Sequence, residues 1–166
     1  EILKAKGKDL SYVLIFASSI KSVREIKKTL NKEGMKASEM HSGLEQEQRE
    51  KTIRDFKSKK IRILVATDIL SRGIDIKGIE LVINYEVPHD AEDYVHRIGR
   101  TARADRTGEA ITFINPKQVR NFMDIEKLIE QKVPKLNLPK KFGSSPKYEI
   151  PAKGKKKWQN FKKKNG

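Results

Sequence analysis

The sequence predicts an α/β domain of three layers, in which helices cover both faces of a mainly parallel sheet. Two observations predict it. Short apolar runs of strand length alternate with segments whose apolar residues recur at helical spacing. The runs are also apolar on both faces, as in residues 61–67, which is typical of parallel strands buried under helices. In such sheets ligands bind beyond the carboxyl ends of the strands, so chemistry is expected in the segments that follow each strand.

Strands and helices alternate along the chain, and each is recognised by the period of its apolar residues. Strands are predicted at residues 12–17, 36–41, 61–67, 81–85 and 110–114. Helices are predicted from residue 20 to Gly34, over 46–56, over 90–98 and after Pro116. Their buried faces are marked by Ile20, Val23, Ile26 and Leu30, by Ile53 and Phe56, and by Phe122, Ile125 and Ile129.

The 166 residues suffice for one domain with an extension at each end. We predict a linker over residues 1–11, the domain over 12–133 and a lysine-rich tail over 134–166. The chain begins with Glu1 rather than Met, so it is expected to be part of a longer protein. No apolar stretch approaches the roughly 20 residues that span a bilayer, so no membrane partner is expected. The absence of cysteine excludes disulfides and thiolate metal sites and fits a cytoplasmic protein.

The formal net charge of +15 is concentrated near the carboxyl terminus. From Lys132 onward there are twelve lysines and a single acid, Glu149. Such a tail indicates a polyanionic partner, because neutralised phosphates release their counterions; a tail that only improves solubility is the alternative. Trp158 and Phe161 lie among these lysines and could stack on bases, or be incidental to a disordered tail.

The first predicted strand ends at Ser18 and Ser19. Backbone amides at a helix start suit a phosphate, but simple capping of the helix by either serine is the favoured interpretation of these two residues alone. The second strand leads through His41, which we interpret as structural rather than catalytic, to a tight turn at Gly43.

Gln46 and Arg49 open the helix that follows this turn. They lie three residues apart and therefore on one face of the helix. Together they form a pair of donors that could grip a phosphate and its neighbouring sugar.

Residues 66–75, after the third strand, pack two acids, an arginine, two hydroxyls and a glycine into one turn. Burial in the hydrophobic core does not explain this segment, because so many buried polar groups would each need a hydrogen-bond partner. Asp68 and Asp75 could be proposed as magnesium ligands, but Arg72 can pair with either acid. No metal site is therefore predicted.

Arg97, Arg100 and Arg103 recur every three residues. Three cations so close repel one another unless an anion joins them, and the local acids could pair with one of them but hardly with all three. A polyphosphate is the expected ligand, since a guanidinium group can donate two parallel hydrogen bonds to phosphate oxygens.

Two sequence elements of a complete nucleotide site do not occur in the chain. There is no Gly-x-x-x-x-Gly-Lys-Ser/Thr loop to cradle the β-phosphate and hold magnesium, and no Asp-Glu-Ala-Asp segment to order an attacking water. The simplest interpretation is that another domain holds the nucleotide and that the arginines complete the site across an interface.

These segments together resemble the motifs of the DEAD-box ATP-dependent RNA helicases. Residues 66–75, Ala-Thr-Asp-Ile-Leu-Ser-Arg-Gly-Ile-Asp, resemble motif V, and residues 96–103, His-Arg-Ile-Gly-Arg-Thr-Ala-Arg, resemble motif VI. Residues 13–19 resemble motif IV, and Gln46-x-x-Arg49 resembles the accessory motif after it. The motifs occur in the family's order across residues 12–134. Ala102 stands where the family usually has Gly, and the sequence is most similar to the bacterial RhlE subgroup.

The resemblance implies a RecA-like domain that is the C-terminal half of an RNA helicase. ATP with Mg²⁺ would be bound mainly by an N-terminal RecA-like domain of the same protein, so this chain alone would be inactive. The whole enzyme would bind single-stranded RNA through phosphates and 2′-hydroxyls and unwind short duplexes.

The resemblance also assigns roles to individual residues. Arg100 and Arg103 would be arginine fingers on the γ-phosphate, Asp75 would contact the ribose, and His96 and Arg97 would belong to the same site, coupling the domains or orienting neighbours. Contacts to RNA would come from Ser18, Gly43, Gln46, Arg49 and Thr67. Contacts between the domains would come from Asp68 and Arg72. Phe16 would stack under an arginine of motif VI.

Two other functions are weighed against this one. A stand-alone RNA-binding module would have no need of arginines poised for a γ-phosphate. Half of a DNA helicase would share the fold, and a comparison of unwinding on RNA and DNA would separate it.

Overall fold

A parallel β-sheet forms the centre of the domain. The computed structural model describes residues 1–7, 10, 12–68, 76, 78–101 and 108–151. Its strands are β1 (Val13–Phe16), β2 (Ala37–Met40), β3 (Ile63–Ala66), β4 (Leu81–Asn84) and β5 (Glu109–Thr112). They lie in the order β2-β3-β1-β4-β5, and each neighbouring pair is parallel. The predicted parallel sheet is confirmed.

Helices separate the strands along the chain. They are α1 (Ile2–Ala5), α2 (Ile20–Lys32), α3 (Gln46–Lys57), α4 (Ala91–Ile98) and α5 (Val119–Leu128), with 3₁₀ turns at Pro116–Gln118 and Lys140–Phe142. Side chains define two of the starts. Ser19 caps α2 by accepting from the Ser22 N–H at 3.1 Å, and Asp90 caps α4 by accepting from the Glu92 N–H at 3.0 Å.

The two faces of the sheet are covered by different helices. Alternate residues of a strand point to opposite faces. Leu14 of β1 therefore belongs to the core cluster that contains Phe56 of α3, whereas Val13 belongs to the cluster that contains Val23 of α2. These two cores make the three-layer arrangement that the sequence predicts.

A third cluster joins α4 to α5. Tyr94 and Phe122 meet edge to face with ring centroids 5.8 Å apart, and Ile125 is buried beside them. Tyr148, in the segment after α5, adds a second edge-to-face contact with Phe122 at 6.4 Å. Part of the predicted tail therefore packs on the domain.

Glu126 of α5 anchors that segment and is itself buried. Its Oε1 accepts from the Val133 N–H at 2.8 Å and from Lys135 Nζ at 2.6 Å, and its Oε2 accepts from the Tyr148 hydroxyl at 2.8 Å. Burial acts to raise the pKa of Glu126, but the bonds from Lys135, Val133 and Tyr148 outweigh it, so the pKa lies below its ordinary value. Burial, joined by the bond to Glu126, raises the pKa of Tyr148.

The first residues differ from the predicted linker. Ile2–Ala5 form the short helix α1, and Leu3, 6% exposed, is buried in the α2-side core. The division at residues 11 and 133 stays a prediction. Within the described part of the chain, no helix is long and apolar enough to cross a membrane.

Candidate nucleotide and RNA site

The segments that the sequence singles out meet at one edge of the sheet. Phe16 lies beside Ala66 and Asn84 in the strand register, and Met40 also lies beside Ala66. Parallel strands ending at the same level deliver their following residues to the same edge. The first bond beyond this level joins the Thr67 N–H to the Met40 carbonyl at 3.1 Å. The carboxyl edge therefore holds the described RNA-contact candidates together.

Ser18 lies at this edge, immediately after β1. Its side chain is exposed, but its backbone N–H donates to Oε2 of Glu86 at 2.6 Å. The Ser18 amide therefore already has a hydrogen-bond partner, the carboxylate of Glu86 that follows β4. Capping by Ser19, the other interpretation of this segment, is confirmed.

Gln46 and Arg49 occupy the first turn of α3, as the sequence predicts. The turn is fixed by a capping box, in which Glu45 and Gln48 each accept from the other's backbone N–H. Gln46 is exposed and donates to Oε1 of Glu50 at 2.7 Å. The buried Nε of Arg49 has no hydrogen-bond partner among the described residues. A buried donor without a hydrogen-bond partner is energetically costly. Arg49 would therefore gain from an acceptor that another molecule supplies.

His41 and Gly43 shape the loop before α3. His41 is fully buried, with Nε2 3.8 Å from Oε2 of Glu39, and neither ring nitrogen has a hydrogen-bond partner among the described residues. Its structural role stays a prediction. Gly43 folds directly over the imidazole: a Cβ on this glycine would lie 3.3 Å from Nδ1 of His41. The small residue thus lets the loop approach the ring closely.

Arg97 links the strand ends to α4. Its guanidinium is 2% exposed, and Nε and Nη2 approach Oδ1 of Asp68 at 2.7 and 2.6 Å. Nη1 donates to Oδ1 of the buried Asn84 at 3.1 Å. The guanidinium carbon lies 5.0 Å from the centre of the Phe16 ring. The predicted stacking of Phe16 under a motif VI arginine is confirmed, and that arginine is Arg97.

This network orients Arg97 into the domain. Its donors face Asp68 and Asn84, so the geometry gives Arg97 the task of holding α4 in place; direct contact with a nucleotide stays a prediction. Asp68, with its side chain 41% exposed, is turned towards the same partner. Asp68 follows Thr67 directly, so the arginine ties an RNA-contact candidate to the helix of the candidate arginine fingers.

Arg100 and His96 lie at the carboxyl end of α4. His96 is exposed, and its carbonyl accepts from Nε of Arg100 at 3.2 Å. Gly99 ends the helix with little space around it, since a Cβ there would lie 3.1 Å from the Val95 carbonyl oxygen. The Arg100 carbonyl accepts from the Ile79 N–H at 3.3 Å, which fixes the backbone of this arginine to the segment before β4.

Gly108 is a further site residue that the motif search missed. A Cβ on Gly108 would lie 2.4 Å from the Thr101 carbonyl oxygen and 2.5 Å from Thr101 Cβ. Only glycine fits, because either distance is far inside van der Waals contact. Thr101 follows Arg100 and is buried, so Gly108 sets how closely β5 approaches the arginine segment. An isolated Gly two residues before a predicted strand was the available signal.

Residues 1–105 match the model of the helicase conserved C-terminal domain. The chain belongs to this family. The curated relatives are named as RNA helicases: a probable ATP-dependent RNA helicase from Methanocaldococcus jannaschii is 46% identical over 132 residues, which are 80% of this chain and 35% of that protein. A DEAD-box ATP-dependent RNA helicase from Geobacillus kaustophilus is 40% identical over 126 residues, which are 76% of this chain and 27% of that protein. This helicase C-terminal domain therefore spans about a third of the first relative's length.

Solved structures agree with this assignment. A DEAD-box protein from Methanococcus jannaschii superimposes with a TM-score of 0.72 at 43% identity, covering 79% of this chain and 36% of that one. The C-terminal domain of the DEAD-box protein Dbp5 gives a TM-score of 0.67 at 34% identity, covering 72% and 71%. The chain is a RecA-like C-terminal domain of the DEAD-box RNA helicases. The RhlE subgroup stays a prediction.

Arg72, Asp75 and Arg103 of this helicase domain lie outside the described residues, as do Ala102 and the tail aromatics Trp158 and Phe161. Within the described ranges, no three His, Cys, Asp or Glu side chains group as metal ligands would.

Proposed function

We propose that the chain is the C-terminal half of an ATP-dependent RNA helicase. Its carboxyl edge binds the backbone of single-stranded RNA, and its arginines complete a nucleotide site whose remaining parts belong to an N-terminal RecA-like domain. ATP with Mg²⁺ is held mainly by that domain. Closure of the two domains around ATP and RNA separates short RNA duplexes.

The link between Asp68 and Arg97 is the observation that carries this proposal. It joins the end of β3, where Thr67 is a candidate RNA contact, to α4, whose next turn carries Arg100. RNA bound at the strand ends and a phosphate bound at Arg100 would therefore both be close to the pair of Asp68 and Arg97. An RNA-binding module that never meets ATP has no use for such a connection.

The RNA contacts proposed are those of the carboxyl edge. Gln46 presents an exposed amide, and the buried Nε of Arg49 has no partner in the described part of the chain. Ser18, Gly43 and Thr67 complete the set at the neighbouring strand ends. We propose that these groups contact phosphates and sugars, which carry no sequence information, so binding is expected to be largely independent of sequence.

The nucleotide contacts proposed are Arg100 and Arg103 on the γ-phosphate and Asp75 on the ribose, with His96 beside them. Guanidinium groups stabilise the charge that develops on the transferred phosphoryl group, and such arginines contribute about 10³ to 10⁵ in rate. Arg97 orients α4, and Asp68 and Arg72 serve the contact between domains.

The experiment that tests the proposal is RNA-stimulated ATPase of a chimaera. This chain replaces its matched region in the Methanocaldococcus jannaschii relative, and Arg100→Ala is compared with the unchanged chimaera. We expect a loss of at least about 10³-fold in kcat. Arg120→Ala is the matched control, because Arg120 is an exposed arginine of α5 to which no role in the site is assigned.

Two outcomes would contradict the proposal. One is undiminished ATPase in the Arg100→Ala chimaera, which would remove the arginine-finger assignment. The other is preferential unwinding of DNA over RNA duplexes of the same sequence, which would move the domain to the DNA helicases.

A further inference from the structure

A basic groove runs along α2 beside the edge strand β2. We call it the α2 groove, and its lining residues are Arg24, Lys27, Lys28, Asn31, Lys32 and Glu39. Four of these side chains are cationic and one is a carboxylate. None of the residues assigned to RNA or ATP above lines it, so the α2 groove is separate from the candidate site.

Arg24, Lys28 and Lys32 form a row of like charges, because residues four apart lie one above the other on a helix. All three are exposed, and none makes an ion pair with an acid in the ranges that the structure describes. Lys27, on the adjacent line, is neutralised by Glu39 at 3.1 Å. Like charges at this spacing repel one another and destabilise a helix. No described acid offsets the repulsion within this row.

Helix α3 treats its exposed cations differently. Lys51 pairs with Asp55 at 2.8 Å, and Arg54 lies 3.8 Å from Glu50, each pair at the same spacing of four residues. Both helices lie on the surface of one domain and carry similar numbers of basic residues. Helix α2 thus leaves three exposed cations at this spacing without an ion pair, whereas Lys51 and Arg54 of α3 each have one.

The α2 groove leads away from the carboxyl edge. Helix α2 begins there, directly after Ser19, and strand β2 ends there at Met40. Arg24 lies about 6 Å along the helix from its first residue, and Lys32 about 12 Å beyond Arg24. A strand of RNA that leaves the carboxyl edge can continue along the row, where charges recur about every 6 Å.

The chemistry of the α2 groove favours RNA over a protein. Protein interfaces depend on buried aromatic or aliphatic anchors. The exposed large apolar side chains of the described residues lie elsewhere: Tyr85, Val95, Phe113, Leu128, Leu136, Leu138, Phe142 and Ile150. The α2 groove also lacks aromatic side chains on which bases could stack. Flexible cations alone suit a phosphate backbone.

We propose that the α2 groove is a second contact surface for RNA, which holds the phosphates of the strand beyond the carboxyl edge. The inference rests on the proposed RNA binding of the domain. It adds a prediction of its own: affinity rises with RNA length through Arg24, Lys28 and Lys32, without preference for sequence.

The test compares two lengths of RNA on the 166-residue chain. One oligonucleotide of about 6 nucleotides occupies only a core site, and one of about 20 nucleotides extends beyond it. The variant R24Q/K28Q/K32Q removes the row and keeps good helix formers. We expect it to bind the long RNA about 10- to 100-fold more weakly near 0.1 M salt, and to lower the slope of log affinity against log salt by about 2. Binding of the short RNA is expected to stay unchanged.

The matched control removes three exposed cations from another side of the domain. K117Q/R120Q/K127Q has the same change in net charge, and its side chains make no ion pair with described residues. An equal loss of long-RNA affinity in both variants would overturn the proposal, because net charge alone would explain it. Unchanged long-RNA affinity in the row variant would also overturn it.

Arg49→Gln separates this inference from the proposed function. If the short RNA binds and Arg49→Gln weakens it while the row variant leaves long-RNA affinity intact, only the α2 groove is refuted. If Arg49→Gln leaves short-RNA binding intact, the carboxyl-edge assignment fails. A row variant that keeps long-RNA affinity but no longer binds poly-glutamate would assign the groove to an acidic protein and overturn the proposal.

Discussion

Arg97 is a charged side chain in the interior of the domain, and it is tolerated there because every side of its guanidinium has a partner. Asp68 supplies the opposite charge, Asn84 a neutral acceptor and Phe16 an aromatic face. A buried ion pair contributes little over a well-packed apolar pair, but removing one partner leaves an uncompensated charge and costs several kcal/mol. The network therefore makes the position of α4 sensitive to single substitutions.

Asp68→Asn is expected to lower the free energy of unfolding by about 2 kcal/mol. The loss stays below that of a fully buried pair, because the Asp68 side chain is 41% exposed. Urea unfolding measures it. Asp55→Asn is the control, since the pair with Lys51 is at the surface, where solvent screens it and it contributes little. Equal losses in the two variants would show that Arg97 does not depend on the charge of Asp68.

Glu126 makes stability depend on pH. Its pKa is lower in the folded state than in the unfolded chain, because the hydrogen bonds it accepts outweigh the effect of burial. Its contribution is therefore complete above the unfolded-state value of about 4.3 and is lost as pH falls through the lower folded-state value.

The stability advantage of the unchanged chain over Glu126→Gln is expected to be constant near neutral pH and to shrink below about pH 4.3. Urea unfolding at a series of pH values checks this. Glu149→Gln is the control, because Glu149 is exposed and only 4.0 Å from Lys147. An advantage that stayed constant down to pH 3 would contradict the assignment of this charge.

At the scale of single residues, the sequence indicated which residues belong to the site better than it indicated which side chains they contact. The stacking of Phe16 followed from the motif resemblance and is present. The pairing of Arg97 with Asp68 could not be predicted, because 29 positions separate the two residues and several acids were nearer in sequence. Glu126 was missed for the same reason: its partners lie in a segment of prolines and lysines without periodicity.

At the scale of elements, the spacing of apolar residues located every strand and the four longer helices of the described chain. The observed strands are shorter than predicted. The predicted ends include residues whose hydrogen bonds lie beyond the regular pairing between strands. Helix α1 was missed because a four-residue helix has no period, and such a turn depends on the packing of Leu3. The order of the strands could not be predicted from local pattern, since it depends on where each crossover returns.

Gly108→Ala tests how β5 positions the arginine segment. Because a Cβ would overlap Thr101, we expect Thr101 and the end of α4 to move, with a loss of about 1–3 kcal/mol in stability and reduced ATPase of the chimaera. Thermal unfolding and ATPase rates measure the two effects.

Gly34→Ala is the control for this variant. Gly34 has φ of +75° and open space around it, so alanine strains the backbone by about 1 kcal/mol without touching the site. Unchanged ATPase in Gly108→Ala alongside the stability loss would show that this contact does not position Arg100.

At the scale of the whole molecule, charge and the missing nucleotide loop set the behaviour of the isolated chain. We expect no ATP hydrolysis by the purified chain, and weak RNA binding whose affinity falls steeply as salt rises. Phosphate release and fluorescence anisotropy at several salt concentrations measure these. ATPase that persists through purification and depends on Arg100 would contradict the proposed division of the active site.

The candidate site was predicted as a set of strand ends, and the ends of β1, β2, β3 and β4 do lie level at one edge. This part was predictable because parallel strands deliver their following residues together. The occupied amide of Ser18 and the close approach of Gly108 to Thr101 were not, because each depends on distances between elements far apart in sequence.

The outer margins of the sheet bear on how the chain behaves at high concentration. An unpaired strand invites a neighbouring molecule to add its own, which is a route to aggregation. At β2, the Asn31 side chain accepts from the Ala37 N–H at 2.9 Å, and Lys27 and Glu39 place charges beside the strand. At β5, Glu109 pairs with Lys6. Neutralising these groups would open both margins to intermolecular pairing, so the protein's colloidal stability depends on side chains that contribute little to its core.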